Sequence, residues 1–373
     1  MGKKIKVAIC INDFLIGGAQ RMLVDMLGRL DRAQFQPVLI TLFYWEGKEY
    51  FYDLLPADVP VHRLAFKGFW DFGSWIALFR TLRLLKPDIV LSNLFFSNTV
   101  TRMLKPLFRY KVAIVEHNTY VKKSKFHQHI DAWLSLFTSR IVAVSGTVAD
   151  FTSRQEGIPR NTFVVIHNGI NIARLRAEFA GADTTAVRKQ LHISNESKII
   201  LNVARLTTQK NPRLLLEGFG DFALRRGEYV LLYVGGSAKW EAVLKEKAKA
   251  LGVADRVFFA GMQKDVAPLY AIADVFVSTS DIEGFGIAHA EALACGIPVL
   301  TTKTAGPDEM IKEGKNGFFI GESTPAAVAK GLEKIVSADM QEMRERARES
   351  ANAYGIEKTT AAYEKLFHEI ARP

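Results

Sequence analysis

Short apolar runs alternate with helix-periodic stretches along this chain, and the alternation happens twice. In the first half the runs fall at 5–11, 38–43, 61–65, 89–91, 112–116, 141–145 and 163–166. Most are continuous rather than alternating, as strands covered on both faces of a parallel sheet read. Helical patterns fit between them, for instance at 19–30 and 72–86, which is the spacing of βαβ units. The turn His167-Asn168-Gly169 and the polar, alanine-rich stretch to about Ser194 read as a hinge region. A second alternation follows, with strands expected at 199–203, 229–234, 257–259, 275–278 and 299–302, and the last roughly 35 residues are helical. The prediction is an α/β protein of two doubly wound domains, without a finer internal repeat. Open sheets of this kind bind ligands at the carboxyl ends of their strands, and two such edges facing across a cleft would share one ligand.

The densest chemistry lies on such an edge. Glu283-Gly-Phe-Gly-Ile-Ala-His-Ala-Glu291 follows the 275–278 strand and precedes the 299–302 strand. If the segment is helical, its two carboxylates stand about 12 Å apart along the axis, beyond the roughly 5–9.5 Å at which two acids flank one glycosidic bond. They suit opposite ends of a longer ligand whose middle lies at the helix start, where free N–H groups favour phosphate. A sugar joined through a diphosphate to a nucleoside has that shape. The plain alternative is a pair of solvated helix glutamates.

Five further segments follow expected strands. Asn202-Val-Ala-Arg-Leu-Thr-Thr-Gln-Lys-Asn-Pro212 places Arg205 and Lys210 at a sheet edge, with Pro212 suited to a helix start. A departing diphosphate gains charge as the sugar bond breaks, and such cations would stabilise it. Gly17 and Gly18 open the first helix and let a ligand approach the backbone. His117 ends a first-half strand, and Gly235 and Met262 follow two second-half strands. Gly218-Phe-Gly-Asp-Phe-Ala223 imitates a dinucleotide fingerprint but sits inside a helical pattern, so it carries no such reading.

The spaced glutamates, the Gly-Phe-Gly between them and the Ala294-Cys-Gly-Ile-Pro298 beyond resemble the retaining GT-B glycosyltransferases of family four, and the likeness extends over most of the chain. It implies two Rossmann-like domains: residues 1–170, joined by a returning helix at about 355–373, for the acceptor, and residues 171–354 for the donor. By the same resemblance, Arg205 and Lys210 grip the donor diphosphate together with the amides of Phe285, Gly286 and Ile287. Glu283 supports the transferred sugar, Glu291 takes the ribose diol, and His117 reaches sugar or acceptor. Gly17, Gly18, Gly235 and Met262 border the donor, Met262 near the base. Retention of configuration follows from the resemblance alone. One departure is His167, where family members often carry proline before Asn-Gly.

Composition narrows the partners. At 373 residues and 49% hydrophobic the chain can bury two cores. Cys10 and Cys295 are far apart, so a disulfide framework or zinc cluster is not expected. The absence of an apolar run near the ~18 residues of a membrane span, and of a signal-peptide pattern, leads to the expectation of a cytoplasmic protein. The net charge of +10 lies wholly in residues 1–180, with 24 Lys and Arg against 14 Asp and Glu. Nucleic acid, an anionic membrane face and a phosphorylated acceptor all suit that excess. No nucleic-acid-binding motif is present, so nucleic acid is not an expected partner. Phe66-Lys-Gly-Phe-Trp-Asp-Phe-Gly-Ser-Trp75 precedes a helix with Arg80, Arg83 and Lys86, and Arg102, Lys105, Arg109, Lys111, Lys122, Lys123 and Lys125 follow. Trp75, Phe79 and Leu82 read as a buried helix face, whereas Lys67, Phe69 and Trp70 suit an anionic membrane surface. The resulting expectation is a metal-independent hexosyltransferase without cofactor. It takes a nucleotide-sugar, a UDP-sugar by preference, and serves a glycan or glycolipid acceptor at the inner face of the cytoplasmic membrane. An acceptor-independent nucleotide-sugar epimerase is the enzymatic alternative, and a basic nucleic-acid-binding protein the other.

Overall fold

The computed structural model describes residues 3–48 and 50–372. The chain forms two compact units, Met1–Gly169 with Ile356–Pro373, and Ile170–Gly355.

Unit 1 is built on seven parallel strands: β1 Ile5–Ile11, β2 Phe35–Thr41, β3 Val61–Arg63, β4 Ile89–Asn93, β5 Lys111–Glu116, β6 Arg140–Ala143 and β7 Phe163–Val165. Their order is β3-β2-β1-β4-β5-β6-β7, with Ile5 opposite Phe35 and Val7 opposite Ile89. The last five residues of β1 are all buried, the mark of a strand covered on both faces. The helix Phe72–Leu85 starts at Asp71, whose carboxylate accepts from Ser74 N, and stops at Lys86 in a left-handed conformation before Pro87. Its buried face is Leu78 and Leu82 rather than the expected Trp75, Phe79 and Leu82. Trp75 and Phe79 are half-buried, because each packs sideways on loop aromatics, Trp75 on Phe66 and Phe69, and Phe79 on Phe108.

The helix Ile356–Ala371 belongs to unit 1. Its apolar stripe of Ile356, Tyr363, Leu366, Phe367 and Ile370 is buried, with Phe367 edge-on to Phe35 at 5.8 Å. Glu364 accepts from Asp31 N at 2.8 Å, and Thr359 donates to His167 O at 2.9 Å.

Two cations expected on the basic surface are interior. Arg102 is 1% exposed and paired with Asp131, while Lys123 bridges Asp131 and Glu156 with 6% of its side chain exposed. The sequence shows them as cations without showing their partners.

Unit 2 carries six parallel strands: β8 Lys198–Val203, β9 Tyr229–Val234, β10 Val257–Phe259, β11 Val275–Ser278, β12 Val299–Thr302 and β13 Gly317–Ile320, in the order β10-β9-β8-β11-β12-β13. Phe219, Leu231, Val277, Leu300 and Leu332 are among the residues of its core. The stretch expected as a hinge holds two helices, Ile172–Ala180 and Thr184–Gln190, begun by the side chains of Asn171 and Asp183. Ile170 N donates to Tyr354 O at 2.9 Å, which ties the two ends of the unit together. Among the described residues no helix is long and apolar enough to cross a membrane.

Candidate active site

In unit 2 the strand order reverses between β8 and β11, and the carboxyl edge at such a reversal is where open α/β sheets bind ligands. The loops leaving these two strands are stitched together there. Asp281 N donates to Gln209 O at 2.9 Å, Gln209 Nε2 to Ile282 O at 3.0 Å, Asn211 Nδ2 to Asp281 Oδ1 at 3.2 Å, and Thr279 Oγ1 to Asn211 O at 2.9 Å. Across that seam Lys210 Nζ lies 2.6 Å from Glu283 Oε1, both side chains largely buried. Arg205, on the same loop, is exposed.

Glu283 itself lies outside the helix, which runs only from Ile287 to Ala294. The helical spacing of about 12 Å expected between the two glutamates therefore does not apply. The turn at 284–286 needs glycine: Gly286 sits at φ +86, and a Cβ there would stand 2.7 Å from His289 Nδ1. Phe285 is buried against Tyr354 and anchors the turn from below. Gly286 precedes the helix without a side-chain cap, so the amides of Phe285, Gly286 and Ile287 gather at its positive end. His289 lies under them, its Nε2 hydrogen-bonded with Thr301 Oγ1 at 2.9 Å, and burial pushes its pKa down to about 4, so it is neutral. Glu291, one turn on, accepts from Tyr270 Oη at 3.0 Å.

Gly235 follows β9 at φ +139, and a Cβ would fall 1.8 Å from Ala204 O. Its N–H donates to Gly261 O at 2.8 Å, so the loops after β8, β9 and β10 meet at this glycine. Met262, half exposed, lies beside Gly236. Unit 2 thus gathers Arg205, Lys210, Gly235, Met262, Glu283, Phe285, Gly286, Ile287 and Glu291 along one sheet edge.

Unit 1 has its own order reversal, between β1 and β4. Gly17 and Gly18 follow β1 there, and Gly18 is the first residue of the helix Gly18–Arg29. Asp13 Oδ1 accepts from Leu15 N and Gln20 Nε2, which shapes the loop. His117 stands just past β5, its Nε2 donating to Asn93 Oδ1 at 3.2 Å, and burial lowers its pKa to about 4. Beneath it Glu116 is pushed up to about 7, chiefly by burial, against the attraction of Lys123.

Sequence patterns do not single out Gln209, Asn211, Thr279, Tyr270 or Asn93, because each acts through a partner distant in sequence. Only Asn211 carries a local signal: asparagine before proline, in a left-handed conformation at φ +46. For a metal, no group of three or more His, Cys, Asp or Glu side chains gathers among the described residues. Asp281 and Glu283 are engaged with Asn211 and Lys210.

A fold of two Rossmann-like units, each with its candidate residues at the carboxyl edge of a parallel sheet, is the architecture of GT-B glycosyltransferases. Residues 16–174 match the family described as Glycosyltransferase Family 4, and residues 183–354 the family described as Glycosyl transferases group 1. The chain belongs to the group 1 glycosyltransferases. It is 30% identical over 194 residues to an N-acetyl-alpha-D-glucosaminyl L-malate synthase of Bacillus anthracis, a match covering 51% of this chain and 50% of the relative. It is 27% identical over 263 residues to a lipopolysaccharide core biosynthesis mannosyltransferase of Rhizobium meliloti, covering 69% of this chain and 70% of that one. Against the first of its curated relatives the chain spans about half their length. Its fold matches Anabaena HepE in complex with UDP and glucose at a TM-score of 0.84, with 20% identity, over 98% of this chain and 99% of that one. Neither the epimerase nor the nucleic-acid-binding alternative is favoured by these likenesses.

Proposed function

We propose that this chain is a retaining glycosyltransferase that moves a sugar from a nucleoside diphosphate sugar, foremost a UDP-sugar, to a glycan acceptor of lipid-linked or lipopolysaccharide type. It works without a divalent ion at the cytoplasmic face of the membrane. The observation that carries this reading is the Lys210–Glu283 contact of 2.6 Å, made where unit 2 reverses its strand order. An acid for the sugar and a cation for the phosphate are held together there, beside an uncapped helix start. In this reading Arg205, Lys210 and the amides of Phe285, Gly286 and Ile287 receive the charge that grows on the departing diphosphate. Each donor fixed beforehand contributes on the order of 3 kcal/mol to the barrier reduction. Glu283 supports the transferred sugar, Glu291 binds the ribose diol, Gly235 and Met262 border the nucleoside, and Gly17, Gly18 and His117 serve sugar and acceptor.

Support for the donor comes from the UDP and glucose bound by the Anabaena protein, and for the acceptor class from the Rhizobium relative. For the membrane, Trp70 is 78% and Phe72 69% exposed, beside exposed Lys67 and within the basic half of the chain. Rings next to cations suit an anionic interface.

Thermal-shift screening against UDP-, GDP- and ADP-sugars tests the reading, followed by nucleotide release measured with and without acceptor. One donor class should raise the melting temperature, and release should need acceptor. Conversion of the donor without acceptor would point to an epimerase instead, and no shift with any donor would sink the proposal.

A further inference from the structure

We infer that Tyr270 is a positioning residue for nucleotide recognition: its buried hydroxyl fixes the Glu291 carboxylate in the orientation that receives a ribose diol. The inference rests on the assignment of Glu291 to the ribose and deepens it.

Tyr270 lies in the short helix Ala267–Ala271, just before β11, and is fully buried, its ring against Phe276 of that strand. Its hydroxyl is 3.0 Å from Glu291 Oε2 and 3.1 Å from Ala288 O, two acceptors one turn apart on the helix Ile287–Ala294. A phenol has one proton, so the two acceptors share it. The Ala288 carbonyl is already of the kind a helix satisfies through its own i+4 amide, which leaves the carboxylate as the acceptor with more to gain. Burial, reinforced by the Glu291 charge, raises the Tyr270 pKa far above the usual phenol range, so the group stays a donor under all working conditions.

A glutamate side chain has three rotatable bonds and a carboxylate about four lone-pair sites. Holding Oε2 from inside the protein selects one rotamer and fixes the plane of the group. Two neighbouring hydroxyls can then be met without first ordering the side chain, which is where preorganisation contributes affinity. Tyr270 touches no nucleotide in this account and acts only through Glu291.

Titration calorimetry with UDP and with 2′,3′-dideoxy-UDP separates this role from simple packing. Tyr270→Phe should weaken UDP about tenfold, the loss of one hydrogen bond to a charged group. It should leave the affinity for the dideoxy nucleotide as in the unaltered protein, and raise the donor KM with little change in kcat. Glu291→Asp, too short to meet the hydroxyl, should show the same selective loss and serves should Tyr270→Phe fold poorly. On a Glu291→Ala background, adding Tyr270→Phe should change nothing. UDP binding at full strength in Tyr270→Phe, or an equal loss on both nucleotides, would overturn the inference. If Glu291→Ala alone binds UDP normally, the ribose assignment fails first, and the role of Tyr270 falls with it.

Discussion

Glu283 and Lys210 are each other's partners, so altering either one changes what the other can do. Glutamine at 283 keeps the shape and an oxygen for Lys210 but removes the negative charge. In the proposed reaction that charge faces a sugar becoming positive, whereas the nucleotide is held by other groups. Glu283→Gln should therefore lower kcat by about a hundredfold or more, while nucleotide affinity measured by calorimetry stays within roughly threefold. A parallel loss of affinity would move Glu283 from the chemistry to binding. Glu116 supports a prediction of a different kind. Its carboxyl rises from 4.5 to about 7 on folding, so the folded protein holds a proton that the unfolded chain releases across that window. Stability from this group is present at low pH and drains away as pH rises through it. His117 runs the other way: its pKa falls from 6.5 to about 4, so its contribution is lost as pH falls through that range. Glu116→Gln should be more stable than the unaltered protein at pH 8, by up to about 3 kcal/mol, and nearly equal to it at pH 5. Urea denaturation at the two pH values checks this, and an equal difference at both would show that Glu116 is not the titrating group.

Three helices of unit 1, Phe95–Leu104, Lys125–Ser135 and Gly146–Glu156, are joined by a buried chain of charge, Arg102 to Asp131 to Lys123 to Glu156. Lys123 lies just ahead of the second helix, so the chain also pins the loop that follows His117. Asp131→Asn removes the carboxylate that lies between two buried cations and should destabilise the protein by about 3–5 kcal/mol, read as a lowered denaturation midpoint. A change under about 1 kcal/mol would show that the chain is solvated and not structural. This network also marks the limit of what the sequence discloses. Arg102 and Lys123 read as surface cations because Asp131 lies 29 residues from Arg102 and Glu156 33 from Lys123, and even Asp131, on the next helix, stands in no local pattern with Lys123. β13 escapes because Gly317-Phe-Phe-Ile follows directly on the turn residues Lys315 and Asn316 and begins with glycine, so it does not stand out as a strand. The two helices at 172–190 hide in a polar, alanine-rich stretch whose start signals, Asn171 and Asp183, read equally as loop. The long apolar runs and the glutamate-flanked glycine turn were legible because each combines a period or a turn with its own chemistry. Lys210, Arg205 and Glu283 could thus be placed on one edge from sequence, whereas the seam of Gln209, Asn211 and Thr279 could not.

The two units differ in surface character. Among the described residues, large exposed apolar side chains crowd residues 44–136, including Trp45, Trp70, Phe72, Phe126, Trp133 and Leu136, whereas unit 2 shows Leu224, Val243 and Met262. With the positive excess confined to the same half, unit 1 should carry the membrane contact. Sedimentation with anionic vesicles should pull the protein down at low salt and release it at high salt. Trp70→Ala with Phe72→Ala should cut that binding several-fold without altering donor affinity, and binding indifferent to salt and to both rings would refute the assignment. The connectivity of unit 1 carries a further consequence. Its sheet is made first, yet the helix that covers Phe35 is made after the whole of unit 2. During synthesis unit 2 is therefore the first unit whose residues are all present, although the chain begins in unit 1. Until the helix Ile356–Ala371 is made, Phe35 lacks the ring of Phe367 that packs on it in the folded unit.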